Sequence, residues 1–340
     1  MKNKVILSLL GIIIQSACAI NNMSITPAII NNLQLPSITE IPIITSTISI
    51  IPSSIPTPIP IITNTPAWIS IGGGGKIVYS YLTSNGQFTD TYLFDVVLGK
   101  EVPLIIGDLS YKRDYSWSPD SKQIAFMSDF EIPDNKLMIV DVESGKTNTL
   151  VYSKTYRNFY PSWSPNGQSI AFTSDRDGPQ GEFHLFVINV DGTNTHRLTN
   201  FHSYTPDWSS DGKSIVFAGE MKNGDIGIYV INNNGTNLKQ LVDFGESPKW
   251  SPDGKKIVFL NSQPFSNHPV GLYVMNADGN GIVFIHQFSY EPSWSKDGNL
   301  IIFGNYDENG ESHIYIMDPD GNNLRILPTR PNIFHPKWSR

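Results

Sequence analysis

The sequence predicts an all-β fold: a six-bladed β-propeller of four-stranded antiparallel blades, the first blade closed by the C-terminal strand. Three observations carry this. A Trp-Ser step, a tight turn and an Ile-x-Phe run recur at Trp117, Trp163, Trp208, Trp250 and Trp294, with Ile and Phe seven and nine positions after each Trp. The tryptophans from Trp68 to Trp338 are 42–49 residues apart, and a period in the forties is that of a propeller blade. After residue 71 no stretch of useful length has helical periodicity.

Each repeat can be read strand by strand. The Trp-Ser segment follows a proline (Pro161, Pro206, Pro248, Pro292, Pro336), which suits the start of a strand rather than its interior. Ser-Pro-Asp-Gly then makes a hairpin, because Pro fixes φ and Gly takes the positive-φ corner. The Ile-x-Phe run alternates with period two and puts its large side chains on one face. Third strands follow, such as His184 to Val190 and His313 to Met317, and a more polar fourth strand closes the unit, as in Thr195 to Leu198. The first unit, Lys76 to Ile106, has Gly72 to Gly75 where the hairpin belongs, and the chain ends on an orphan first strand, Phe334 to Ser339. Joining the two closes the ring and removes its open edges. The stretch around Trp68, Ala67 to Ile71, is the competing candidate for that inner strand.

Strand direction puts the Ser-Pro-Asp-Gly hairpins on one face and the dissimilar loops after Ile-x-Phe on the other. Variation on one face of a constant scaffold is where specificity is written. Residues just before each inner strand should collar the channel mouth on that variable face: Arg113 and Asp114, Tyr160, Tyr204, Glu246, Tyr290 and Glu291, and His335. Aromatic edges among a few charges suit a peptide, a protein loop or a glycan. The competing reading is that the aromatics, Phe159 and Phe334 above all, wedge between blades as core.

Trp-Ser-Pro-Asp-Gly-Lys-x-Ile-x-Phe at Trp250 to Phe259, with Ser-Asp-Arg-Asp-Gly at Ser174 to Gly178, resembles the WD-like repeat of the TolB-type β-propellers over nearly all of residues 72–340. The resemblance implies a non-catalytic module outside the cytoplasm that binds other envelope proteins. In place of TolB's globular N-terminal domain stands a low-complexity segment, so TolB's own role is not carried over.

That N-terminal region divides in two. Lys2 and Lys4, the apolar run Val5 to Ile14 and small residues around Cys18 form an export signal over residues 1–18. Its ten apolar residues are too few to span a bilayer. Ser16-Ala17-Cys18 resembles a lipoprotein processing box, which implies lipidation of Cys18 and a membrane-anchored protein facing the periplasm or the cell exterior. Plain secretion after Ala19 is the alternative. Residues 19–71 are rich in Ile, Thr, Ser and Pro, and prolines such as Pro52, Pro56, Pro58 and Pro60 disfavour a membrane helix, leaving a flexible tether. The propeller occupies residues 72–340.

A net charge of −7 offers no basic face for nucleic acid. The seven histidines (184, 196, 202, 268, 286, 313, 335) show no paired spacing of a metal site, so no metal or other cofactor is expected, His335 being the best single candidate. Asp175 to Gly178 and Asp307 to Gly310 read as turns rather than calcium loops. No Gly-x-Ser-x-Gly elbow is present. The expectation is a monomeric interaction module with an envelope or extracellular protein or peptide partner, no catalytic residue, and contact with the membrane through its lipid anchor only. The alternative is a polysaccharide-binding or polysaccharide-cleaving propeller, for which Asp114, Glu246 and Glu291 are the available carboxylates.

Overall fold

The structure is a computed structural model that describes residues 74–339 apart from 84–85, 87, 130–134, 180, 221–223 and 265–266. Trp68, the signal segment, Cys18 and the tether lie outside the described residues. Among the described residues all regular structure is β-strand, in six antiparallel sheets of four. Blade 1 holds β1 (Lys76–Leu82), β2 (Thr89–Asp95) and β3 (Lys100–Ile105). Blade 2 is β4 (Tyr111–Trp117), β5 (Gln123–Asp129), β6 (Asn135–Asp141) and β7 (Thr147–Ser153). Blade 3 is β8 (Asn158–Trp163), β9 (Ser169–Ser174), β10 (His184–Asn189) and β11 (His196–Arg197). Blade 4 is β12 (Ser203–Trp208), β13 (Ser214–Glu220), β14 (Ile226–Asn232) and β15 (Lys239–Val242). Blade 5 is β16 (Glu246–Trp250), β17 (Lys256–Asn261), β18 (Gly271–Asn276) and β19 (Val283–Gln287). Blade 6 is β20 (Tyr290–Trp294), β21 (Ile301–Tyr306), β22 (Ser312–Met317) and β23 (Arg325–Ile326), and β24 (Ile333–Trp338) returns to blade 1 as its innermost strand.

One register repeats around the ring. Each Trp faces the Ile seven positions on, from Trp117 and Ile124 to Trp294 and Ile301, and Trp338 faces Ile77 across the closure. Ile77-x-Tyr79 is therefore the sixth copy of Ile-x-Phe, and all of these side chains are buried. The core is shared among the seams between blades: Val78 and Leu93 of blade 1 pack with Trp117 and Phe126 of blade 2, and Ile77 and Phe94 pack with Ile302 and Ile316 of blade 6. Hydrogen bonds run along the same seams. The indoles of Trp117, Trp208 and Trp294 donate to the carbonyls of Lys337, Ser162 and Lys249, at 3.0–3.1 Å, one residue before the Trp of the preceding blade.

The closure reuses the hairpin's bonds without the hairpin. In the five continuous blades the serine after Trp accepts from the amide five residues on, as Ser118 does from Gln123 at 2.9 Å. In blade 1 Ser339 Oγ accepts from the Lys76 amide at 3.0 Å, although the two residues are 263 positions apart. Gly75 fits here because its φ is +114° and a Cβ would meet Ser339 Oγ at 2.5 Å. A second latch lies further out, where Arg330 stacks over Tyr92 at 4.0 Å and pairs with Glu101 on β3 at 3.0 Å.

Candidate functional site

The inner strands β4, β8, β12, β16, β20 and β24 surround a central cavity of about 330 Å³. Its wall changes character along the strands. At the hairpin end stand Pro119, Pro165, Ser210, Pro252 and Lys296, and midway come Ser116, Ser162, Asp207, Lys249, Ser293 and Lys337. The opposite mouth is lined by Asp114, Tyr160, Thr205, Ser247, Glu291 and His335.

These last six share one backbone state. All have φ between +51° and +56°, in the left-handed region that non-glycine residues avoid. In every blade the inner-strand register slips at this point, from Arg113/Ser116 in blade 2 to Tyr290/Ser293 in blade 6. A bulge of this kind re-aims a side chain that would otherwise follow the pleat. The following proline, present in five of the six blades, adds no amide donor to the ladder and is tolerated at a bulge. Blade 2 has Tyr115 there instead, buried, its hydroxyl 3.0 Å from Ser80 Oγ and 2.8 Å from Thr91 Oγ1.

The geometry corrects the sequence reading in two ways. The collar residues lie inside the inner strands, at their bulges, and not before them. The expected set also splits. Asp114, Tyr160, Glu291 and His335 reach the cavity wall together with Thr205 and Ser247, whereas Arg113, Tyr204, Glu246 and Tyr290 are not part of that wall. Arg113 pairs with Asp129 at 2.7 Å and lies over the Phe159 ring. Tyr204 meets His202 edge-on, and Glu246 accepts a hydrogen bond from Ser262. The Tyr290 ring sits where a Cβ on Gly304 would be, 2.0 Å from it, so only glycine fits on the facing strand. Of the three tyrosines, Tyr160 alone faces the channel.

Electrostatics sharpen the mouth. Burial pushes the Asp114 carboxyl above its usual range, against the pull of Arg113 and His335. Burial acts in the same direction on Glu291, yet the adjoining His335 imidazole, with Lys337 behind it, brings that carboxyl below its usual range. Glu246 is raised by burial, with Ser262 opposing. Burial and the neighbouring Asp114 keep Tyr160 neutral.

His335 on β24 stands between Asp114 on β4 and Glu291 on β20, so three blades bring an imidazole and two carboxylates together. Their donor atoms all lie within 4.8 Å of one another. No local spacing in the sequence marks this set, because its members are far apart in the chain. A second grouping, Asp307, Glu311 and His313, spans the loop from β21 to β22 and the start of β22. There Asp307 Oδ1 accepts from the amides of Asn309 and Glu311, both at 2.9 Å, which agrees with the turn reading of Asp307 to Gly310. Asp175 is held by Arg157, whose amide and guanidinium reach it at 2.6 and 3.1 Å.

Residues 114–340 match the family described as the TolB beta propeller domain. Among solved structures the chain is similar to TolB from Acinetobacter baumannii, at 21% identity and a TM-score of 0.69, covering 79% of this chain and 67% of that one. It is similar also to a putative TolB from Agrobacterium tumefaciens, at 19% identity and a TM-score of 0.58, covering 75% of this chain and 89% of that one. A chain of the nidogen/laminin complex shares the fold at 10% identity and a TM-score of 0.59, covering 77% of this chain and 98% of that one. No curated protein matches.

Proposed function

The chain belongs to the TolB β-propeller family, and on that premise we propose that it is a non-catalytic extracytoplasmic interaction module, a tethered propeller that binds an envelope or extracellular protein or peptide through its variable face. The observation that carries this reading is the contrast between the two ends of the inner strands. At the hairpin end, side chains are occupied by bonds within their own turns, as Ser251 is with Asp253 and Lys256. At the other end six different side chains stand on one repeated backbone geometry around an open cavity. Such a surface can change partner without changing fold. Tyr160 with Asp114, Glu291 and His335 on the same wall gives it an aromatic and charged character that suits a peptide or a protein loop. Export and the tether are read from residue chemistry, and the Cys18 anchor from the resemblance of Ser16-Ala17-Cys18 to a lipoprotein processing box; on this reading the propeller faces the periplasm or the cell exterior.

Photocrosslinking in intact cells tests the reading. A photoreactive residue replacing Tyr160 should capture a discrete partner, whereas the same residue replacing Lys255 on the hairpin face should not. Equal capture from both positions, or none from Tyr160, sinks the proposal. Saturable binding of oligosaccharides by the purified chain, without protein capture, would favour a glycan instead. A Cys18→Ser variant should leave the membrane fraction, and a wild type that is already soluble would remove the lipid anchor from the picture.

A further inference from the structure

We propose that Thr205, Lys249, Ser293 and Lys337 form a carboxylate site partway down the channel, which takes the C-terminal carboxylate of a peptide entering from the variable mouth. The site rests on the reading of that mouth as a docking face and names what the partner must present there. Its four residues stand on β12, β16, β20 and β24, consecutive inner strands of the ring, and all of them line the cavity. Lys249 and Lys337 hold the same place in their strands, one residue before Trp250 and Trp338. Ser293 holds that place in the blade between them.

The two lysines make the same contact. Lys249 Nζ donates to the Pro206 carbonyl and Lys337 Nζ to that of Pro292, in each case on the preceding blade and at 3.4 Å, the long end of hydrogen bonding. Asp207 is the carboxylate at this level, its Oδ1 3.9 Å from Lys249 Nζ. Its oxygens also accept from the Trp250 amide at 2.9 Å and the Ser162 hydroxyl at 3.4 Å, so two ammonium groups share one engaged carboxylate there. Ser293 Oγ accepts from the Trp338 amide at 3.1 Å, and a serine hydroxyl used as an acceptor still has its own proton to donate. Thr205 supplies the observation that calls for a ligand. It is 6% exposed, lines the cavity and has a buried hydroxyl without a hydrogen-bond partner. It also directly precedes Pro206, whose carbonyl Lys249 reaches. Buried polar groups are rarely left so, and a carboxylate held by Lys249 brings an acceptor to that hydroxyl.

Shape and charge select a chain end. The cavity of about 330 Å³ lies at the small end of ligand pockets, which run from roughly 300 to 1,000 Å³, and Pro119, Pro165 and Pro252 stand at its hairpin end. A chain terminus can enter from the variable mouth alone, whereas a loop must enter and leave. Asp114 and Glu291 line that mouth, two residues up their strands from the lysine level, or about 7 Å along the strand. A basic residue shortly before the terminus therefore meets the acidic mouth while the terminal carboxylate meets the lysines below.

Titration calorimetry of the full chain with the tripeptide Lys-Ala-Ala, as free acid and as C-terminal amide, tests the site. The acid should bind saturably and the amide more than about tenfold more weakly, because hydrogen bonds to a charged acceptor are the strong ones. Lys249→Met, which keeps the apolar stem, should lower acid binding to the amide's level and leave amide binding as in the parent, which shows that the variant is folded. Thr205→Val should weaken the acid by about fivefold, and Lys255→Met on the hairpin face should change nothing. Acid and amide binding alike, no saturable binding of the acid at millimolar concentration, or acid binding untouched by both Lys249→Met and Thr205→Val overturns the assignment. Acetate binding as tightly as the tripeptide acid would give the site to a free small acid and overturn it as well. Photocapture from position 160 is a separate readout. Capture without preference for the acid strikes this site and leaves the docking face, whereas preference for the acid without capture keeps the site and strikes the protein partner.

Discussion

The two ends of each inner strand are built on the same ladder yet use their side chains differently. At the hairpin end Ser118, Ser164, Ser209, Ser251 and Ser295 each donate to an acceptor two residues on and accept from an amide five residues on. Five positions of near-identical chemistry result, because the turn itself consumes it. At the channel mouth the six bulged residues have one backbone conformation and six different side chains, among them a buried threonine hydroxyl with nothing to bond. Repetition of a residue thus marks a structural duty, and repetition of a conformation without the residue marks a position open to function.

The largest expected effect comes from the seam that both ends share. Trp338→Ala removes the Trp that faces Ile77 across the closure and should cost about 3–5 kcal/mol, read as a lower midpoint in guanidinium unfolding. A loss well under 1 kcal/mol would mean that the terminal strand is dispensable to the ring. Next is Ser209→Ala at the hairpin end, which leaves the Ser214 amide and Asp211 without their shared partner. It should cost about 1–3 kcal/mol by the same measurement.

Thr205→Val makes the matching deletion at the other end, where the hydroxyl bonds nothing. Stability should hold or rise by up to about 1 kcal/mol, since an unpaired buried hydroxyl is costly. A loss equal to that of Ser209→Ala would erase the contrast between the ends.

The smallest effect is a pH dependence. The Glu246 carboxyl is raised by burial in the folded state, so its contribution to stability is present in acid, below its unfolded value of about 4.3, and is lost as pH rises through the raised value. Glu246→Gln has no such titration. In melts from pH 4 to 7 the variant should gain on the parent as pH rises, and parallel curves would show that this carboxyl titrates as if in water.

Much of the ring was legible in advance, and particular residues show why. Trp117, Trp163, Trp208, Trp250 and Trp294 carry their own spacing, and Trp338 with no hairpin after it identified the strand that closes blade 1. The collar was less legible. An inner strand turns its edge and not its face to the channel, so period-two alternation does not say whether Tyr204 or Thr205 reaches the axis. The prolines, read as strand starts, sit within the strands at bulges, and a residue before proline is ordinarily extended. The left-handed turn at Thr205, Glu291 and His335 therefore had no local marker.

By itself, then, the sequence determined what local chemistry and periodicity can encode: strands, hairpins, six blades, and which face varies. Only the tertiary structure decided which of two adjacent side chains enters the channel, and that Asp114, Glu291 and His335 meet. The reason is that ring closure puts β24 between β4 and β20, bringing residues from distant parts of the chain within reach of one another. A bulge and a closed ring are set by packing among all six blades, and no short window of sequence contains them.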